Sequence, residues 1–100
     1  MTYQLDIGPE ALADLESAGD WYEQQRPGLG ADFLRAIRQT INALPTHPLI
    51  YSVREHRRRI RWVIPPRFPY RIVYRVKGDR IAILAVVHAA RQDSAWRRRA

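Results

Sequence analysis

From Arg57 to His88 the chain reads RRRIRWVIPPRFPYRIVYRVKGDRIAILAVVH, and arginines alternate there with large apolar residues. A period of two sends successive side chains to opposite faces of a strand, so this stretch is constrained to form a sheet with an apolar face and a guanidinium face. Ile60, Trp62 and Ile64 alternate with Arg59, Arg61 and Val63 in one strand, which Pro65 and Pro66 end. Tyr70, Ile72, Tyr74 and Val76 alternate with Arg71, Val73 and Arg75 in the next. Lys77-Gly78-Asp79 is a short hairpin turn with the glycine such turns favour. Arg80–Val87 is apolar on both faces and is predicted to lie inside the sheet.

The first half of the chain follows a different period. Tyr3, Leu5 and Ile7 mark a short first strand, broken by Gly8. Pro9 suits the first turn of a helix, and Leu12, Leu15, Ala18 and Tyr22 recur at three- and four-residue steps, predicting a helix over Pro9–Gln25. Glu10, Asp14 and Glu16 lie near its N-terminus, where the helix dipole favours them. Arg26-Pro27-Gly28-Leu29-Gly30 reverses the chain. A second helix carries Phe33, Leu34, Ile37, Ile41 and Leu44 on one side until Pro45 and Pro48 stop it. The two helices form an antiparallel hairpin whose apolar stripe covers one face of the sheet, with Trp21, Tyr22 and Tyr51 assigned to the packing between them. Asp93 or Ser94 is positioned to cap a brief C-terminal helix carrying Trp96 and Arg97–Arg99. The expected fold is a single α+β domain over residues 1–100 in the order β-αα-βββ, a helical hairpin on a mainly antiparallel sheet with a short helical tail.

Charge is divided as unevenly as periodicity. Residues 1–50 hold three basic against seven acidic side chains, net −4, and residues 51–100 hold fourteen against three, net +11. Such polarity fits a polyanion or an acidic partner. Sixteen of the seventeen cations are arginine, the residue suited to planar, bidentate anion recognition. The chain has no cysteine, and His47, His56 and His88 lack metal-ligand spacing, so no metal or other cofactor is expected. It has no Gly-rich phosphate loop and no serine elbow, and its carboxylates gather in the helical half, away from any paired-acid site. The N-terminal segment lacks the basic and apolar regions of a secretory signal, and the apolar run Ile81–Val87 falls short of the roughly 18 residues of a membrane span. A cytoplasmic protein is expected.

If the helical hairpin covers the face bearing Ile60, Trp62, Ile64 and Tyr70–Val76, then Arg59, Arg61, Arg71 and Arg75 share the open face. Grouped guanidiniums repel one another unless water, carboxylate or phosphate lies among them. The set is either an anion platform or a row of solvated arginines. His88, at the end of the apolar strand and three residues before Arg91, can serve as a general acid or base on a phosphodiester, or merely bond a backbone group. Trp96 can stack on a base or anchor the tail.

The segments WYEQQRPGLGADF, FPYRIVYRV and ILAVVHAARQDSAW, in this order along nearly the whole chain, resemble the RelE/ParE superfamily of type II toxin–antitoxin toxins. The resemblance implies the toxin of a plasmid-stabilisation or addiction module, inhibiting growth unless held in a hetero-oligomer by a cognate antitoxin with an acidic or amphipathic segment. RelE-like members are ribosome-dependent mRNA endonucleases, and on that branch Arg71, His88 and Arg91 are the candidate catalytic residues. This chain departs from that pattern: the paired second-strand lysines are replaced by Arg59 and Arg61, and the tail tyrosine by Trp96, which has no hydroxyl. ParE-like members poison DNA gyrase without catalysis. The WYE and PGLG segments with His88, Arg91 and Trp96 place the chain nearer that branch, where Arg59, Arg61, Arg71, Arg75, Arg91 and Trp96 would grip antitoxin, target or another anion. A basic binding module without toxic activity is the remote alternative.

Overall fold

A computed structural model describes residues 2–91 and 94–100 of the chain. Strand β1 (Gln4–Ile7) leads into helices α1 (Pro9–Gln25) and α2 (Leu29–Ala43), then a 3-10 turn at Leu44–Thr46. Strands β2 (Val53–Glu55), β3 (Ile60–Val63), β4 (Tyr70–Lys77) and β5 (Arg80–His88) follow, and α3 (Ser94–Arg97) lies in the tail. The sheet order is β1-β5-β4-β3-β2, parallel only between β1 and β5. The α+β expectation holds, with one strand added. β2 has three residues and a bulge opposite β3, too short to leave an alternating pattern in the sequence. Of the two expected caps, Asp93 lies outside the described residues and Ser94 is the first residue of α3.

The Pro-Gly-Leu-Gly segment closes the helical hairpin through two glycines with different tasks. Gly28 adopts φ 89°, in the left-handed region open to glycine, and its N–H donates to Glu23 Oε2 at 2.9 Å. Gly30 lets the helices touch: a Cβ there would stand 2.5 Å from the Gly19 carbonyl oxygen. The hairpin then presses an aromatic cluster onto the sheet, with Phe33 stacked on Tyr22 at 5.0 Å and edge-on to Phe68 and Tyr70 at 5.3 and 5.0 Å. Ile37, Ile41, Ile72, Tyr74, Ile81 and Ile83 complete this core and are almost wholly buried.

Strand β3 corrects the expected sheet face. Arg61 pairs with Tyr74 and Val63 with Ile72, so Arg61 and Val63 face the helices, while Ile60 and Trp62 face away from them. Ile64 lies beyond the strand and is half exposed. The inversion is stable because the second face is also apolar. Ile60, Val73, Ala85 and Val87 form a small core there, sealed by Trp96, which is fully buried. Double-sided apolarity in β5 therefore reflects two cores.

The tail is fastened to α1 by Asp14. Arg99 donates from Nη1 to Asp14 Oδ2 at 2.6 Å, and its Nε lies 3.0 Å from Glu10. The hydrogen bond that Arg99 donates to Asp14 raises the Arg99 pKa further, against a smaller opposing effect of burial. Asp14 Oδ2 also accepts the Val86 N–H at 3.0 Å, beyond the last β5 residue that β1 pairs.

Candidate functional site

The seven candidate residues do not form one surface. Arg71 and Arg75 lie on the sheet face away from the helices, opposite Val87 and Ala82 of β5. Arg71 stacks on Trp62 at 4.7 Å, and Arg54 from β2 lies over the same indole at 5.5 Å. Arg61 is on the opposite face, where it donates to the backbone carbonyls of Leu49 and Tyr51 and so pins the loop before β2. Arg59 stands in the β2–β3 turn with φ 58°. Trp96 is wholly buried, so it anchors the tail and presents no open stacking surface. Among the described residues nothing accepts its indole N–H.

His88 and Arg91 meet on the helix side, at the end of β5. His88 pairs with Tyr70, contacts its ring edge-on at 5.3 Å, and accepts the Ala90 N–H at Nδ1, 3.0 Å away. The backbone contact therefore exists and leaves Nε2 as the other ring nitrogen. Burial raises the Tyr70 pKa, reinforced by neighbouring Tyr22 and opposed by Arg91. His88, Arg91, Tyr70, Ser17 and Trp21 line a cleft of about 470 Å³. Trp21, expected in the packing between hairpin and sheet, is instead 54% exposed at its rim. Its neighbour Tyr22 takes the packing role. Arg71 cannot join this cleft, because it projects from the other side of the sheet.

Two features escape a reading by periodicity. A groove of about 520 Å³ lies between the C-terminal half of α2 and the end of β3, lined by Thr40, Leu44, Ile50, Tyr51, Val63 and Ile64, among others. Leu49, Ile50, Tyr51 and Ile64 are exposed together at this end, Ile50 by 68%. They stand in loops without alternation, so only their composition could have flagged them. The second feature is a shallow cleft of about 320 Å³ between the β2–β3 turn and the end of β4, lined by Arg57, Arg58, Arg59, Arg75, Val76 and Lys77. The run Arg57–Arg59 was visible in sequence, but its approach to Lys77 depends on β3–β4 register. Among the described residues no group of three histidines or acids could hold a metal ion, and no helix is long and apolar enough to cross a membrane.

A family model described as the ParE toxin of type II toxin–antitoxin systems, parDE, matches residues 5–93. The chain belongs to the ParE toxin family. It is thus the toxin type of a type II toxin–antitoxin system. No curated protein sequence matches it significantly. Among solved structures it is similar to a chain of the chromosomal ParDE toxin–antitoxin system of P. aeruginosa, with TM-score 0.78 and 22% identity over 87% of this chain and 96% of that one. It is also similar to a double mutant of the E. coli toxin RelE in the free state, with TM-score 0.64 and 19% identity over 90% and 86% of the two chains. At these identities the structural likeness speaks for the shared fold: two helices on one face of a mixed five-stranded sheet.

Proposed function

We propose that this ParE-family toxin acts in the cytoplasm as a non-catalytic poison of DNA gyrase and is held inactive by a cognate antitoxin. The observation that carries the non-catalytic reading is the division of the nuclease candidates between the two sheet faces. Attack of a ribose 2′-OH on phosphate needs base, acid and charge stabiliser around one phosphorus. Here Arg71 projects from one side and His88 and Arg91 from the other. The tail contributes a buried tryptophan with no exchangeable hydroxyl. The antitoxin reading is supported by the ParDE toxin–antitoxin system among the structural relatives and by the apolar groove beside α2. Gathered apolar exposure of this kind marks a protein interface. A net charge of +7 disfavours a second copy as its occupant and favours an amphipathic, acidic segment of the antitoxin.

One preparation of the toxin, freed from antitoxin, tests the reading in two assays. Gyrase supercoiling is expected to fail in its presence, while mRNA on programmed ribosomes stays intact. Cleavage of that mRNA, lost by orders of magnitude in Arg71→Ala, would overturn the non-catalytic reading and establish Arg71 as the charge stabiliser. Undisturbed supercoiling at toxin in excess over gyrase would remove gyrase as the target.

A further inference from the structure

We propose that the cleft between the β2–β3 turn and the end of β4 is a sequence-independent binding site for the phosphate backbone of duplex DNA. Arg57, Arg58 and Arg59 converge there with Arg75 and Lys77, and Val76 is the one apolar residue of the lining. The nearby carboxylate, Glu55, is already committed. It accepts the Arg57 and Arg58 backbone N–H groups at 2.8 and 3.2 Å and lies 3.7 Å from Arg58 Nη1. Among the described residues no acidic group pairs with the side chains of Arg57, Arg59, Arg75 or Lys77. Like charges gathered in this way raise the energy of the empty site and are relieved by an anion.

The backbone adds an independent sign. Arg59 holds φ 58°, a left-handed conformation that costs an L-residue with a long side chain, at the last position of the β2–β3 turn, directly before Ile60, which pairs with Arg75. Strain of this kind, which Arg67 at φ 75° also carries outside the cleft, costs stability that a useful side-chain position can offset.

Chemistry separates the occupants. A protein interface relies on buried apolar anchors. This cleft has almost none, whereas the groove beside α2 is rich in them. Duplex backbone binding needs only cations and released counterions. A single strand would call for an open aromatic platform. The partly exposed indole on this side of the sheet, Trp62, is already occupied by Arg54 and Arg71. The cleft is also shallow and open, which suits a continuous polyanion better than an enclosed metabolite. This site is independent of the mode of poisoning: a toxin could bind DNA here without touching gyrase, or the reverse.

Fluorescence anisotropy of the full-length toxin with a labelled duplex of about 20 base pairs at about 0.1 M salt tests it. Two unrelated duplexes are expected to bind alike, with log affinity falling linearly against log salt. Arg57→Gln, Arg59→Gln and Lys77→Gln should each weaken binding several-fold and lower the salt slope by about one. Arg35→Gln and Arg67→Gln, which remove the same charge from exposed sites around Asp32, should leave both unchanged. Arg59→Gly is the decisive variant: it relieves the strained φ, so the protein should melt at a higher temperature while binding DNA less well. Equal losses in the cleft and control variants would reduce the effect to overall charge and overturn the site. So would the absence of duplex binding, or tighter binding of a single strand. Cleft-dependent binding of an acidic peptide in preference to duplex would also overturn it, assigning the surface to a protein segment.

Discussion

The two faces of the sheet are buried by different means. On the helix side, a hairpin of two long helices delivers Phe33, Ile37 and Ile41 onto Ile72, Tyr74 and Ile83, and many residues share the burial. On the other side, four aliphatic residues rely on one fully buried aromatic, Trp96, carried by a helix of four residues, with the partly buried Trp62 beside it. The first face supports the fold as a whole. The second is a local core with a single closure, and the guanidiniums of Arg71 and Arg54 lie at its edge over Trp62. A ParE-family scaffold built this way can alter its tail and arginine face without dismantling the hairpin.

The largest effect that tests this contrast is Trp96→Ala. Truncating a fully buried tryptophan typically costs about 3–5 kcal/mol. The loss should concentrate locally: native-state hydrogen exchange should show amides of the tail and of Ile60 and Val87 losing protection before those of α1 and α2. Uniform loss across both helices would mean that the two faces form one cooperative core. Trp96→Phe should cost far less, because it keeps an aromatic closure and removes an indole N–H that the described residues leave without an acceptor.

Asp14 joins the two faces, since it belongs to α1 yet holds Arg99 of the tail. Asp14→Ala strips a partner from both Arg99 and the Val86 N–H, for an expected loss of about 1.5–3 kcal/mol. Combined with Arg99→Ala in a double-mutant cycle, it should show strong coupling, measured by urea unfolding. Additive losses would mean that the tail is held by Trp96 alone.

Legibility in the sequence followed the physics of each region. Helix α1 was bounded at both ends by its Pro9 start and by the Arg26–Gly30 breaker, because local signals fix helices. The order of α1, α2, β4 and β5 was equally plain. The orientation of β3 was not. Alternation states that Ile60 and Trp62 share a face, but it cannot say which, and here a second apolar cluster competes for them. The arginine platform failed for the same reason, since turning β3 over moved Arg61 to the helix side. Arg71 and Arg75 kept their expected face, because β4 pairs with β5 across its whole length. Trp21 was misassigned because helical spacing could not distinguish it from its neighbour Tyr22 at the edge of the apolar stripe.

The smallest effect concerns Tyr74, the one tyrosine sealed completely into the helix-side core. Its hydroxyl donates to the Pro48 carbonyl at 2.7 Å, and burial pushes its pKa up to about 12, opposed in part by Arg61. The folded value stands above the ordinary value of about 10, so the neutral form is favoured by folding. Stability from this group is therefore complete below pH 10 and is lost as pH rises from there through the folded value near 12. Tyr22 and Tyr70 are shifted in the same direction by burial and steepen the same limb. At neutral pH, Tyr74→Phe should cost about 1 kcal/mol for the lost hydrogen bond. Above pH 10 it should lose stability less steeply than the parent, because phenylalanine cannot ionise, and the two curves should converge. Urea unfolding across the alkaline range measures that convergence. A constant gap would show that Tyr74 reaches solvent before it ionises, and the helix-side face would then be no more securely closed than the one that Trp96 seals.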